Sequence, residues 1–387
     1  MPQDQHHATL VFPGSTRPRT GDARPSPRRA GRRASSLTLA FTLGMTLAFA
    51  FGVVGTHGLS RAASPSDARA AAPARTPAGL WLSSTAARAV VQLSPGQLAT
   101  DGVVLPTAMR IAAGVETHSL VGLAFDDSGR LWVANQGDSL LLAFAPANLA
   151  SKETRVPATV LSATNRSLSA PVGLAFDPRH RLWAANFGNG TLVRFDAAQL
   201  SSSGAPAPSV IIGGLHRPSA LAFDAAGTLW VSDMCAGTVS AYDAGQLERS
   251  GSPEPRVVIR RARGSLAIPT GLAFDAGGTL WVANMGNGTV VGFGVTQLAS
   301  SGTPLPHVTL DMQPPGDVND SPTGLAFDAD GSLWVAELGG VVNKFTREQL
   351  AASGTPVPAV EVAVEGGGEG LLWGAAFWPK APRGPLN

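Results

Sequence analysis

Short runs of alternating small and large apolar residues recur along the chain, each closed by a polar turn, and this pattern predicts strands. The fullest runs stand at Gly122 to Asn135, Gly173 to Asn186, Ala220 to Asp233, Gly271 to Asn284 and Gly324 to Glu337, with successive starts 51, 47, 51 and 53 residues apart. A period of that size marks a repeat architecture. Within each repeat, GLAFD reads as one strand, LWVAN as a second, and a run such as TLVRF or TVVGF as a third. A QL segment, an SG.P.P segment and a β-branched run (Ser209 to Ile212, Val257 to Ile259) follow. The two prolines suit an outer edge, where a missing N–H is harmless, so the β-branched run is a fourth, outermost strand. Four-stranded antiparallel units at this spacing are propeller blades.

The two ends of the repeat region set the blade count. Residues from Gly79 to Ile111 match the second, third and fourth strands without a first, and Gly374 to Trp378 (GAAFW) matches a first strand with nothing after it. Joining them gives a six-bladed, all-β propeller closed by its C-terminal strand, a closure that removes two exposed sheet edges. Six of the eight tryptophans, Trp81, Trp132, Trp183, Trp230, Trp281 and Trp334, share one blade position. Phe125, Phe176, Phe223, Phe274, Phe327 and Phe377 share another. Both sets read as packing rings, each buried aromatic removing about 150–250 Å² from water.

Ahead of the repeats the composition changes. Residues 1 to 33 carry seven Arg against two Asp, and Leu37 to Val54 is an uncharged apolar stretch. The expected organisation is a basic segment (1–36), an apolar signal or membrane-spanning segment (37–54), an Ala/Ser/Pro-rich linker (55–78), the propeller (79–380) and a short tail (381–387). Ala68-Arg69-Ala70 would suit signal cleavage, whereas 18 apolar residues just suffice to span a bilayer. Both readings put the propeller outside the cytoplasm, either periplasmic or secreted, or anchored to the membrane through the N-terminal segment alone. Arg32-Arg33 is a weak twin-arginine signal, and no cysteine near the segment suits a lipoprotein. From Gly79 onward, 19 Lys+Arg stand against 24 Asp+Glu, a net of −5, so the overall pI of 9.1 reflects the leader and nucleic acid is not an expected partner. Cys235, the only cysteine, falls in a turn and has no internal disulfide partner. A monomer is expected, and high Ala, Gly, Pro and Arg usage suits a bacterial source with a GC-rich genome.

Candidate chemistry lies where second strands end and first strands begin, on one propeller face. Ser84, Asn135, Asn186, Asp233, Asn284 and Glu337 close the second strands. Their oxygens either cap their own turns or line a polar site; a divalent cation, if bound, would draw on Asn186, Asp233, Asn284 and Glu337. The loops entering the first strands differ between blades and carry His118, His216 and Asp320. Variation on a common scaffold is where function is grafted. The residues admit two readings: a non-catalytic module binding a protein, glycan or small ligand, or a hydrolase or lyase with a histidine base. No other cofactor is expected.

ALAFDAAGTLWVSD and GLAFDAGGTLWVANMGNGTVVGF resemble the repeats of the NHL family and of the group holding SMP-30/gluconolactonase-like and streptogramin (virginiamycin B) lyase proteins. The resemblance covers Gly79 to Lys380 and implies a six-bladed propeller. The gluconolactonase-like enzymes place Asn or Asp metal ligands directly before the first-strand glycine. Here Val121, Val172, Ser219, Thr270, Thr323 and Trp373 stand there. The lyase group carries a Glu at the end of a second strand, matched here by Glu337 alone. NHL domains bind partners through one face without catalysis.

Overall fold

The computed structural model describes residues 78–110, 117–150, 156–312, 321–365 and 372–380, together with Thr76. The basic and apolar N-terminal segments, Asp320 and the C-terminal tail lie outside the described residues. Contacts divide the chain into Met1–Ala72 and Pro73–Asn387, and the second unit holds the propeller. Among the described residues no helix is long and apolar enough to cross a membrane.

Six antiparallel blades form the expected ring. Blade 1 runs from its inner strand Leu120–Phe125 through Leu131–Asn135 and Leu140–Phe144 to its outer strand Thr159–Leu161. Blades 2 to 5 repeat this order from inner strands Pro171–Phe176, Pro218–Phe223, Pro269–Phe274 and Pro322–Phe327. In blade 6 the inner strand is the C-terminal Leu372–Trp378, paired with Gly79–Ser84, then Ala89–Leu93 and Thr107–Arg110. The ring therefore closes within blade 6, from chain segments almost 300 residues apart, as the unmatched ends of the repeat region predict.

The GLAFD aspartate explains why each inner hairpin forms where it does. Asp126 Oδ1 accepts the backbone N–H groups of Ser128 and Arg130, both at 3.0 Å, and Oδ2 accepts the Trp132 indole N–H at 3.3 Å. Asp177, Asp224, Asp275 and Asp328 hold Trp183, Trp230, Trp281 and Trp334 in the same way, at 3.0–3.3 Å. One carboxylate thus fixes the turn and orients a buried aromatic, supplying the partner an indole N–H needs in a core. All six tryptophans are at most 2% exposed. The phenylalanine ring packs on the blade cores as expected, but less completely. Phe125 and Phe176 are buried, but Phe223, Phe274, Phe327 and Phe377 are half-buried. Five of the six rings line a cavity of about 250 Å³ at one channel mouth. Each phenyl sits at the innermost strand's end, where only one side has a neighbouring blade to pack on; Phe377, for instance, meets Trp334 edge-on at 6.1 Å.

The QL and SG segments tie the blades together. Gln199 Oε1 accepts the Asp196 N–H at 2.8 Å while its Nε2 donates to Ala207 O at 2.6 Å, closing the loop before the outer strand. Gln97, Gln246, Gln297 and Gln349 repeat this clamp. The Ser-Gly pair then reaches back to the preceding blade. Ser203 Oγ accepts Val160 N–H, and Gly204 makes a parallel bridge to Leu161. Ser250-Gly251, Ser301-Gly302 and Ser353-Gly354 do the same for the outer strands of blades 2, 3 and 4. In blade 6 the stitch widens into a strand, Gly102–Val104, parallel to Val360–Val364. Blades 2 to 6 thus each cover the otherwise open edge of the preceding blade, which blunts edge-to-edge association.

Blades 2 and 3 are further joined by Glu248, which accepts from Arg179 at 3.0 Å and from Arg181 at 3.1 Å and reaches Arg194 at 3.4 Å. The Arg181 hydrogen bond, together with the surrounding guanidinium charges, holds its carboxyl below the usual glutamate range. Burial pushes Asp126 up, but bonds from Ser128 and Arg130 outweigh it and leave that carboxyl lowered as well. A depressed carboxyl stabilises the fold fully above its unfolded value, about 3.9 for Asp and 4.3 for Glu, and that stability is lost as pH falls through the folded value. Urea midpoints are therefore expected to hold from neutrality to about pH 5 and to fall below it. Glu248→Gln should lower the midpoint at neutral pH and flatten the acid fall. The effect is modest because Glu248 is 38% exposed. A variant with an unchanged midpoint and an equally steep acid fall would remove Glu248 from the junction.

Candidate functional site

The face with the second-strand ends and the first-strand entries is built from local bonds. Asn186 Oδ1 accepts the Ser169 N–H at 3.1 Å, and its amide nitrogen donates to Ser167 O at 2.7 Å and Thr191 Oγ1 at 2.9 Å. Asn284 repeats the set with Ala267, Ser265 and Thr289. Asp233 accepts three N–H groups, from His216 at 2.7 Å, Arg217 at 3.2 Å and Ala236 at 3.0 Å. Ser84 accepts the Ala87 N–H at 3.1 Å. The Glu337 carboxylate, 1% exposed, accepts from Asn343 on the third strand at 2.9 Å. Asn135 is fully buried. Asn186, Asp233 and Asn284 thus fasten an entry loop to its own blade, while Ser84 holds its own turn and Glu337 holds the third strand.

The entry residues fall into separate pairs. His118 Nδ1 lies 2.7 Å from Asp138 Oδ1, and its backbone N–H reaches Oδ2 at 3.3 Å. Sequence reading missed Asp138, which stands in the turn after the second strand, one position after the glycine of a QGD run, where blade 2 has Asn189 in GNG. His216 is exposed and linked to Asp233 through its backbone. Cys235 is exposed in the turn that follows Asp233. Among the described residues no group of three or more His, Cys, Asp or Glu side chains is placed to hold a metal ion.

The positions before the inner-strand glycines do different work. Ser219 Oγ lies 2.9 Å from Ser232 Oγ and donates toward Pro269 O at 3.0 Å on blade 4. Thr270 Oγ1 donates to Pro322 O at 3.1 Å, and Thr323 Oγ1 to Leu372 O at 2.9 Å. All three are at most 3% exposed. Val121, Val172 and Trp373 complete the ring with no metal-binding oxygen in the side chain. These positions fasten one blade to the next, and their donor set does not fit a divalent cation.

Residues 221–367 match the family model described as SMP-30/Gluconolactonase/LRE-like region. The matched residues fall in blades 3 to 5. No curated protein matches the sequence. Among solved structures, this propeller is similar to a streptogramin B lyase, at 13% identity over 72% of this chain and 82% of that one, TM-score 0.48. It is also similar to virginiamycin B lyase from Staphylococcus aureus, at 12% identity over 71% and 82%, TM-score 0.46. A protein of unknown function from Bacteroides caccae aligns at 8% identity over 78% of this chain and 98% of that one, TM-score 0.55. At such identities the last likeness shows a shared fold alone.

Proposed function

We propose that this SMP-30-like propeller is a non-catalytic binding module, exported or tethered to the membrane by its N-terminal segment, that acts as a monomer. It takes a protein, glycan or small ligand at the face carrying His118, His216 and the second-strand ends. One observation carries the reading: the positions where gluconolactonase-like enzymes hold their metal are occupied by buried fasteners between blades. In the second-strand ring Asn186, Asp233 and Asn284 are likewise bonded to the entry loops, and those loops are the part of the face that differs between blades. A hydrolase or lyase of the kind the family resemblance suggests is the competing reading, and it needs a metal.

The thermal unfolding temperature of the purified protein is expected to be the same in EDTA and in Ca²⁺, Mg²⁺ or Zn²⁺, with no stoichiometric metal on elemental analysis and no turnover of lactones or esters. A divalent ion at about a hundred times its Kd would add about 2.7 kcal/mol, a rise of several degrees. Such a rise, or a co-purifying metal, would move the assignment to the enzyme.

A further inference from the structure

Blade 3 breaks a pattern that its neighbours keep. The third strand of blade 2 carries Thr191, Val193 and Phe195, and that of blade 4 carries Thr289, Val291 and Phe293. At the same places blade 3 carries Thr238, Ser240 and Tyr242, the last being the only tyrosine in the chain. Alternate residues of a strand share a face, so three hydroxyls line one side of this strand. Ser240 is 8% and Tyr242 2% exposed, and neither hydroxyl has a hydrogen-bond partner among the described residues. Thr238 is released by a second change. In blades 2 and 4 the equivalent threonine accepts an amide N–H from Asn186 or Asn284, whereas Asp233 has no N–H to give.

These three hydroxyls open on a cavity of about 200 Å³, shared with His216, Asp233 and Glu254 and roofed by the Gly213-Gly214 link. No lysine or arginine lines it. With no partner in the chain, these hydroxyl oxygens are reached through the cavity and are left to bond whatever fills it. The field there is negative: burial, with the Asp233 and Glu254 carboxylates, pushes the Tyr242 phenol up to about 12.

We infer that this cavity in blade 3 is a binding site for a small organic cation of the alkylammonium class. An ammonium group brings three donors and no acceptor, the complement of hydroxyl oxygens and a carboxylate with unused lone pairs. Asp233 contributes charge, since its oxygens already accept three backbone N–H groups, while Glu254 at the rim is exposed and available to a ligand. No residue of an inner strand lines the cavity, but His216 and Asp233 belong to the face proposed above to take a ligand, so this inference rests on that reading and names the ligand class for its blade 3 part.

The single tyrosine makes the test direct. Protein carrying ¹³C-labelled tyrosine has one ring reporter, and titration with putrescine should move its signal saturably. 1,4-Butanediol, of the same length and neutral, should not. Tyr242→Phe restores the residue that Phe144, Phe195, Phe293 and Phe345 supply elsewhere, and Glu254→Gln alters an exposed side chain, so both should unfold near the wild-type temperature. Each should weaken putrescine binding, read by calorimetry, by about tenfold or more, as loss of a charge-assisted bond does. Absence of a saturable shift, an equal shift with the diol, or undiminished affinity in both variants would overturn the site.

Discussion

Removal of residues 373–387 is expected to abolish the cooperative unfolding transition of the whole ring. The lost segment is the inner strand of blade 6, paired with Gly79–Ser84 from Gly79↔Trp378 to Leu82↔Ala375. With it go the Gly374 N–H bond to Ser83 Oγ at 2.8 Å and the edge contact of Phe377 on Trp334. Each ladder bond is worth about 0.5–1.5 kcal/mol net, and each buried aromatic adds about 2 kcal/mol. The sum reaches the 5–15 kcal/mol that stabilises a typical domain. A new sheet edge also opens on Gly79–Ser84, and open edges invite association. Urea unfolding followed by tryptophan fluorescence should show a broad, early transition with aggregation. Phe377→Ala, which keeps the ladder, should retain a sharp transition at a lower midpoint. A truncated protein with the intact protein's midpoint would mean the ring does not depend on this closure.

Closure was legible because GAAFW repeats the inner-strand pattern at the far end of the chain, and blade number, strand order and the tryptophan ring followed from the same periodicity. The contacts that join blades were not. Gln199 and Ser203-Gly204 stand in a visible motif, yet the bond from Ser203 reaches Val160, 43 residues back and on another blade. Spacing within a repeat cannot reveal a partner in the preceding one. The phenylalanine ring has the period of the tryptophans, and only the ring geometry shows that four of its members pack on the cores half-buried. At the candidate face, the link between Asp233 and the His216 loop lies close in sequence and matches the turn-cap reading. The cavity beside Tyr242 escaped because a lone tyrosine among phenylalanines looks conservative until its hydroxyl is found without a partner. Ser219, Thr270 and Thr323 stood out only as poor ligands, and their bonds to the next blade required the ring.

Gly122→Ala is expected to be among the most damaging small substitutions in this chain. A Cβ there would stand 1.9 Å from Val172 O, and at Gly324 and Gly374 it would meet Trp373 O and Val121 O at 2.4 and 2.3 Å. The obstacle is backbone of the adjacent inner strand, which cannot swing aside as a side chain does. Overpacking commonly costs about 1–3 kcal/mol, and a clash with two packed strands should reach or exceed the upper end. Blade 3 provides the control, since it carries Ala220 at this position. Ala220→Gly should cost only about 0.5–1 kcal/mol, the usual difference in chain entropy. Chemical denaturation of the two variants side by side decides the point: a Gly122→Ala midpoint within the Ala220→Gly range would mean the inner strands are free to separate. The same tightness bears on function. At the glycine positions, where inner strands press backbone to backbone, there is no room for a side chain, so chemistry added to this scaffold must come from other positions, such as the entry loops or a blade seam like the one beside Tyr242.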